Sequence, residues 1–240
     1  MARTTDPDAR VLVFVDGQNA YKSCERLYKH GPTHPLLLAE QIRDARRLVG
    51  VRYYTGVPDP TRDPEGRQKR DRRHNLMRRT GVTVVERQLR YRWEWGFDPT
   101  TLPNRPEKHK GTTRDVTVWP YQRAREKGID LAIGLDVIDL ALNGHMDVAV
   151  IVSSDTDLCE AARMVHQATL AKGQRVSIEA ALFSEGRKPI LLSHYDYTRQ
   201  LRFPDFEAAK DSFDYSEHIA QAMETTFAAS CDPLRRHFSA

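Results

Sequence analysis

Apolar residues along this chain come in two kinds of pattern. The first is the short unbroken run. Residues 11–15, "VLVFV", are all apolar and lead straight into Asp16. A β-branched run without alternation predicts a strand buried on both faces, as in the middle of a parallel sheet. A second such run, "DVAVIVSSD" (147–155), also ends on a carboxylate. Further strands are predicted at 51–56 ("VRYYTG"), at the start of 82–92 ("VTVVERQLRYR") and at 175–183 ("RVSIEAALF"). The second pattern has helical spacing. It predicts helices over 19–30 and over 35–49, the latter from Leu37, Leu38, Ile42, Ala45, Leu48 and Val49. It also predicts helices over 65–81, over 126–144 with Asp130 as N-cap, and over 156–173. Residues 93–115 carry no period and read as a long loop, while "YSEHIAQAMETTFAAS" near the end reads as a last amphipathic helix.

Strands alternating with helices through tight turns imply an α/β fold with a central parallel sheet. The pattern divides the chain into a domain over 10–185, carrying a basic segment and long loop at 62–127, and a C-terminal extension over 186–240 whose helix packs back on the domain. In such sheets, ligands bind outside the carboxyl ends of the strands, where the strand order reverses. Asp16 and Asp155 would both lie on that edge.

Composition adds three constraints. Forty per cent of the 240 residues are hydrophobic, which allows a packed core, yet no apolar run approaches the roughly 20 residues of a membrane span. The polar N-terminus "MARTTDPDAR" and three scattered cysteines, without metal-ligand spacing, suggest a cytoplasmic protein. Charge is unevenly placed. From Arg62 to Lys127 there are 18 Lys and Arg against 9 Asp and Glu, a net of +9, so a chain of net +4 carries −5 elsewhere. A basic segment within an acidic chain suggests a polyanionic partner, although a solvated surface has the same composition.

The acidic residues offer the chemistry. Asp16 ends one strand, Asp155 and Asp157 follow another, and Asp136 lies on the helix that feeds it, with Asp130 and Asp139 near. Each has an ordinary explanation: Asp16 and Asp155 as helix N-caps, Asp136 and Asp139 as a solvated face. Brought together, they would repel unless a cation joined them. Mg²⁺ takes oxygen ligands, keeps several waters and needs only one or two direct carboxylates. The nine histidines show no paired metal spacing.

Three stretches, in order, resemble the NYN domain, a branch of the PIN-like ribonucleases: "FVDGQN" (14–19), "EKGIDLAIGLD" (126–136) and "VSSDTDL" (152–158). Ser154 stands where glycine is usual and Leu158 where phenylalanine is usual; neither change removes a ligand. Glu40 is the nearest counterpart to the family's early helical acid. The resemblance implies a three-layer α/β/α PIN-like domain with parallel strand order 3-2-1-4-5. It implies Mg²⁺- or Mn²⁺-dependent cleavage of RNA, expected to be endonucleolytic. Carried over, Asp16, Asp136 and Asp155 would hold the metal, Asp157 would assist, and Asn19 would orient substrate or a water. Lys127 would touch phosphate or pair with Asp130.

The predicted helix over 65–81 holds Arg72, Arg73, Arg78 and Arg79 among its cations, and the segment after it interleaves arginines with Trp93 and Trp95. Cations with planar rings suit single-stranded RNA. Lys108, Lys110 and Arg114 suggest a flap over the active edge. Two rivals remain. One is a phosphatase like the haloacid dehalogenases, for which Asp16 would have no role; the other is a non-catalytic PIN-like RNA-binding or scaffold protein. A homodimer stays open as an assembly.

Overall fold

The computed structural model describes residues 4–31, 33–96, 119–186 and 192–211. Strand β1 (Arg10–Asp16) is buried at every residue after the first. Its last side chain starts the next element: Asp16 accepts from the Asn19 N–H and caps α1 (Gly17–Tyr28). Gly17 is needed there, because a β-carbon would run into the Tyr53 ring. Helix α2 (Pro35–Arg43) stops at Asp44, whose backbone sits at φ 54°. The helix expected over 35–49 is thus shorter, and Leu48 and Val49 belong to β2 (Arg47–Val57). Pairing of β2 with β1 outweighs the helical spacing of those two residues.

Helix α3 (Pro64–Arg79) follows, then β3 (Thr83–Gln88), β4 (Arg90–Gly96) and β5 (Trp119–Arg125). Residues 93–96, expected in a loop, extend β4, which pairs antiparallel with β5 as a separate two-stranded sheet. The intervening flap residues lie outside the described ones. Helix α4 (Ile129–Leu142) begins at Gly128, with φ 80°, and Asp130 sits inside its first turn rather than capping it. Then come β6 (Val148–Val152), a 3-10 turn (Thr156–Leu158), α5 (Cys159–Ala171), β7 (Ser177–Phe183), β8 (Tyr197–Leu201) and α6 (Phe203–Ala209).

The main sheet is wholly parallel, in the order β3-β2-β1-β6-β7-β8. Counting only its own strands, this is the expected 3-2-1-4-5 order with a sixth strand added at the edge. β8 supplies that strand, and α6 packs beside α2, so the domain's structure continues past residue 185. Helices cover both faces. Val11, Val13, Val15, Leu36, Ile42 and Phe206 fill one core, on the side of α1, α2 and α6. Leu12, Phe14, Ile133, Val137, Ala162 and Val165 fill the other, beneath α4 and α5. The expected C-terminal helix lies outside the described residues. Among the described residues, no helix is long and apolar enough to cross a membrane.

Candidate active site

The strand order reverses between β1 and β6, so a crevice opens beyond their carboxyl ends. Asp16, only 5% exposed, sits at its floor. One carboxylate oxygen accepts from the Asn19 N–H at 3.0 Å, the other from the Ser153 hydroxyl at 3.1 Å. Ser153 Oγ in turn accepts from the Asp155 N–H at 3.1 Å. Asn19 Oδ1 accepts from both the N–H and the hydroxyl of Ser154, each at 3.0 Å. Asp155 caps the 3-10 turn by accepting from the Asp157 N–H at 2.9 Å. These short links fasten the end of β1 to the end of β6. Two further carboxylates reach the same cleft, of about 270 Å³: Asp130 from the first turn of α4, and Glu126 from the segment before it. Glu126 is held by the Gly56 N–H at 2.7 Å.

The electrostatics follow from crowding. Burial raises the Asp16 pKa; its bonds from Asn19 and Ser153 oppose this, and the charges of Asp130 and Asp155 add to it. Burial also raises Asp130, with Asp155 and Asp157 contributing. Glu126 is raised by burial and by Asp16, against the Gly56 bond and the cations Arg70 and Lys22. The cleft is therefore short of positive charge. Among the described residues, no three His, Cys, Asp or Glu side chains stand close enough to form a ready-made cage. An oxygen-only, loosely spaced donor set still fits a hard cation that keeps much of its water, as Mg²⁺ does.

The expected site residues divide into two groups. Asp16, Asn19 and Asp155 line this cleft, and Asp157 stands beside it, bonded to Asp155. Asp136 is not on it. It lies six residues beyond Asp130, about 9 Å along the helix and about 240° around it. There it accepts from Arg52 Nη2 at 2.7 Å and from the Tyr54 hydroxyl at 2.7 Å. Lys127 is exposed just before α4 and makes no ion pair with Asp130. Glu40 is on α2, paired with Arg43 at 2.6 Å. Ser153 and Glu126 were not singled out in the sequence. Both sit inside the quoted motifs, but a serine and a glutamate at a strand end or before a glycine carry no distinctive spacing.

A larger cleft, of about 920 Å³, adjoins the acidic one and shares Gln18, Lys22 and Glu126 with it. It runs between α1 and α3. Arg72 and Arg73 line it together with Lys69 and Arg70. Arg78 points elsewhere, into a bond with Glu86 at 2.7 Å, and Arg79 is exposed outside the cleft lining. Trp93, on β4, is 67% exposed. Trp95 pairs through its backbone with Pro120, and its side chain lies outside the described ones.

A family model described as "NYN domain" matches residues 10–197. A curated relative, "6-hydroxy-3-succinoylpyridine 3-monooxygenase HspA" of Pseudomonas putida, is 24% identical over 192 residues, 70% of this chain. The chain spans 60% of that relative's length. Among solved structures, a protein of unknown function from Vibrio parahaemolyticus superimposes with a TM-score of 0.50 at 17% identity, covering 83% of this chain and 96% of its own. This last likeness concerns the fold.

Proposed function

We propose that this chain, which belongs to the NYN domain family, is a ribonuclease that uses a divalent cation, Mg²⁺ or Mn²⁺, to hydrolyse RNA phosphodiester bonds. One observation carries the reading: Asp16, Asp130 and Asp155 come from three different elements yet face one cleft at the reversal of strand order. Burial and the neighbouring carboxylates raise the pKa values of Asp16 and Asp130, and a cation would make their ionised state favourable. Bound there, the ion would supply a more acidic water and neutralise charge developing on the phosphate. Asp16, Asp155 and Asp130 would hold it. Ser153 and Asn19 orient Asp16 and fix it against the turn that carries Asp155. Asp157 supports Asp155 through its backbone. Asp136 positions Arg52 and Tyr54 behind the site. Cations along α3 would carry the RNA backbone to the acids.

The monooxygenase named among the relatives offers a second reading, but this chain covers too little of it to carry the activity over. Incubating the protein with short single-stranded RNA decides the matter. Cleavage is expected with Mn²⁺ or Mg²⁺ and none in EDTA. Asp16→Asn should lower it by about a hundredfold or more while the circular dichroism spectrum stays native. Full activity in that variant, or no cleavage by the parent protein with either ion, overturns the proposal.

A further inference from the structure

The larger cleft has a shape that a through-running strand does not require. It extends from Gln18 to Glu25 on α1 and from Lys69 to Leu76 on α3, about 10 Å along each helix. One end opens on the acidic cleft through Gln18, Lys22 and Glu126. Both helices run back from the carboxyl edge of the sheet, so the other end lies deep along its face. That end is cross-linked: Arg73 donates to Asp211 at 3.0 Å and to the Thr33 carbonyl at 3.3 Å, and Thr33 bridges to Lys210. The result is a pocket with its mouth beside the acids and this cross-link flanking its far end. Its volume, about 920 Å³, falls in the range of small-molecule sites.

Its walls are chemically two-sided. On α3, Lys69 and Arg72 are exposed, and among the described residues neither is paired with a carboxylate. Arg70 beside them donates to the Gly56 carbonyl at 3.2 Å. On α1, Tyr21 is 40% exposed and offers a ring. Unpaired cations favour a phosphate, and a ring favours a base.

Resting on the ribonuclease reading, we propose that this pocket takes the phosphorylated terminal nucleotide of a single-stranded RNA, with the terminal phosphate on Lys69 and Arg72 and the base against Tyr21. The cross-link flanking the far end would make the pocket a stop. An RNA seated in it presents to Asp16 and Asp155 a bond at a fixed short distance from the strand end, so phosphorylated ends are preferred substrates and products are short and uniform.

Binding measured without turnover tests this separately from catalysis. Fluorescence anisotropy in EDTA would compare three oligoribonucleotides of one sequence, bearing a 5′-phosphate, a 3′-phosphate or only hydroxyl ends. One phosphorylated end should bind about tenfold tighter than the hydroxyl form, and which one identifies the polarity. Lys69→Ala with Arg72→Ala should abolish that preference, and Asp16→Asn should keep it. Equal affinities for all three overturn the pocket assignment whether or not the protein cleaves RNA. A preference that survives the double substitution overturns it as well. Loss of cleavage with the preference intact counts against the nuclease reading alone.

Discussion

Asp16 is buried, bonded twice and still short of compensation. Burial, with Asp130 and Asp155, raises its pKa above the ordinary 3.8. The sign of the consequence is fixed. Below the unfolded value both states are protonated and the penalty is absent; as pH rises through the higher folded value, the folded state must ionise in a hostile site and stability falls. Asp16→Asn keeps an acceptor for the Asn19 N–H but removes the charge. In EDTA at neutral pH it should therefore melt above the parent protein, with the gap closing toward about pH 4. A variant that melts lower at pH 7 would show that the carboxylate stabilises the metal-free fold. Asp136 is the opposite case. It neutralises Arg52, whose side chain is only 8% exposed, so Asp136→Ala should cost about 3–5 kcal/mol in chemical denaturation. Metal affinity, measured on the folded fraction, should be unchanged by it.

Helix α3 shows how an element divides its charges. Lys69, Arg72, Arg73 and Leu76 recur at helical spacing and line the large cleft. Arg67 and Arg78 turn instead to Glu86 on β3, at 3.4 and 2.7 Å, and His74, which also lines the cleft, bonds Glu86 at 2.7 Å. Arg72→Ala should thus reduce the slope of log affinity for single-stranded RNA against log salt by about 0.7, one phosphate contact. Arg78→Ala should leave that slope alone and cost at most about 1 kcal/mol of stability. Equal slope changes would mean that both faces touch RNA. The sequence displayed the helix and its charge but not this division, because cations occur all round it and the carboxylate that claims Arg67 and Arg78 lies on a strand. The acidic site was legible to a similar depth. Asp16 and Asp155 could be placed because strand ends locate them without reference to rotation. Asp130 and Asp136 could not be told apart, since the phase of α4 depends on a glycine start that its periodicity does not mark. The end of α2 was hidden for a related reason: Leu48 and Val49 suit either a helix or a strand until β1 is there to pair with.

For the molecule as a whole, the proposed ion would join parts that are distant along the chain: β1, the first turn of α4 and the turn after β6. Binding only the folded state, it should raise stability by mass action, about 2.7 kcal/mol at a hundred times its dissociation constant. Melting the protein across a Mg²⁺ or Mn²⁺ titration checks this. The rise should disappear in EDTA and be strongly reduced in Asp16→Asn, and an equal rise in that variant would place the ion elsewhere. The same arrangement governs how the chain comes to be folded at all. β1 is synthesised well before β6, yet β6 is one of its two neighbours, with Val11 beside Val148 and Val15 beside Val152. Until β6 is synthesised, a strand of five consecutive apolar residues has one edge unsatisfied. Pairings this distant in sequence are slow to close, and exposed apolar strands aggregate while they wait. A fragment ending before Val148 should consequently be insoluble or held by chaperones during synthesis, whereas chains extending through β8 and α6 should release as folded protein.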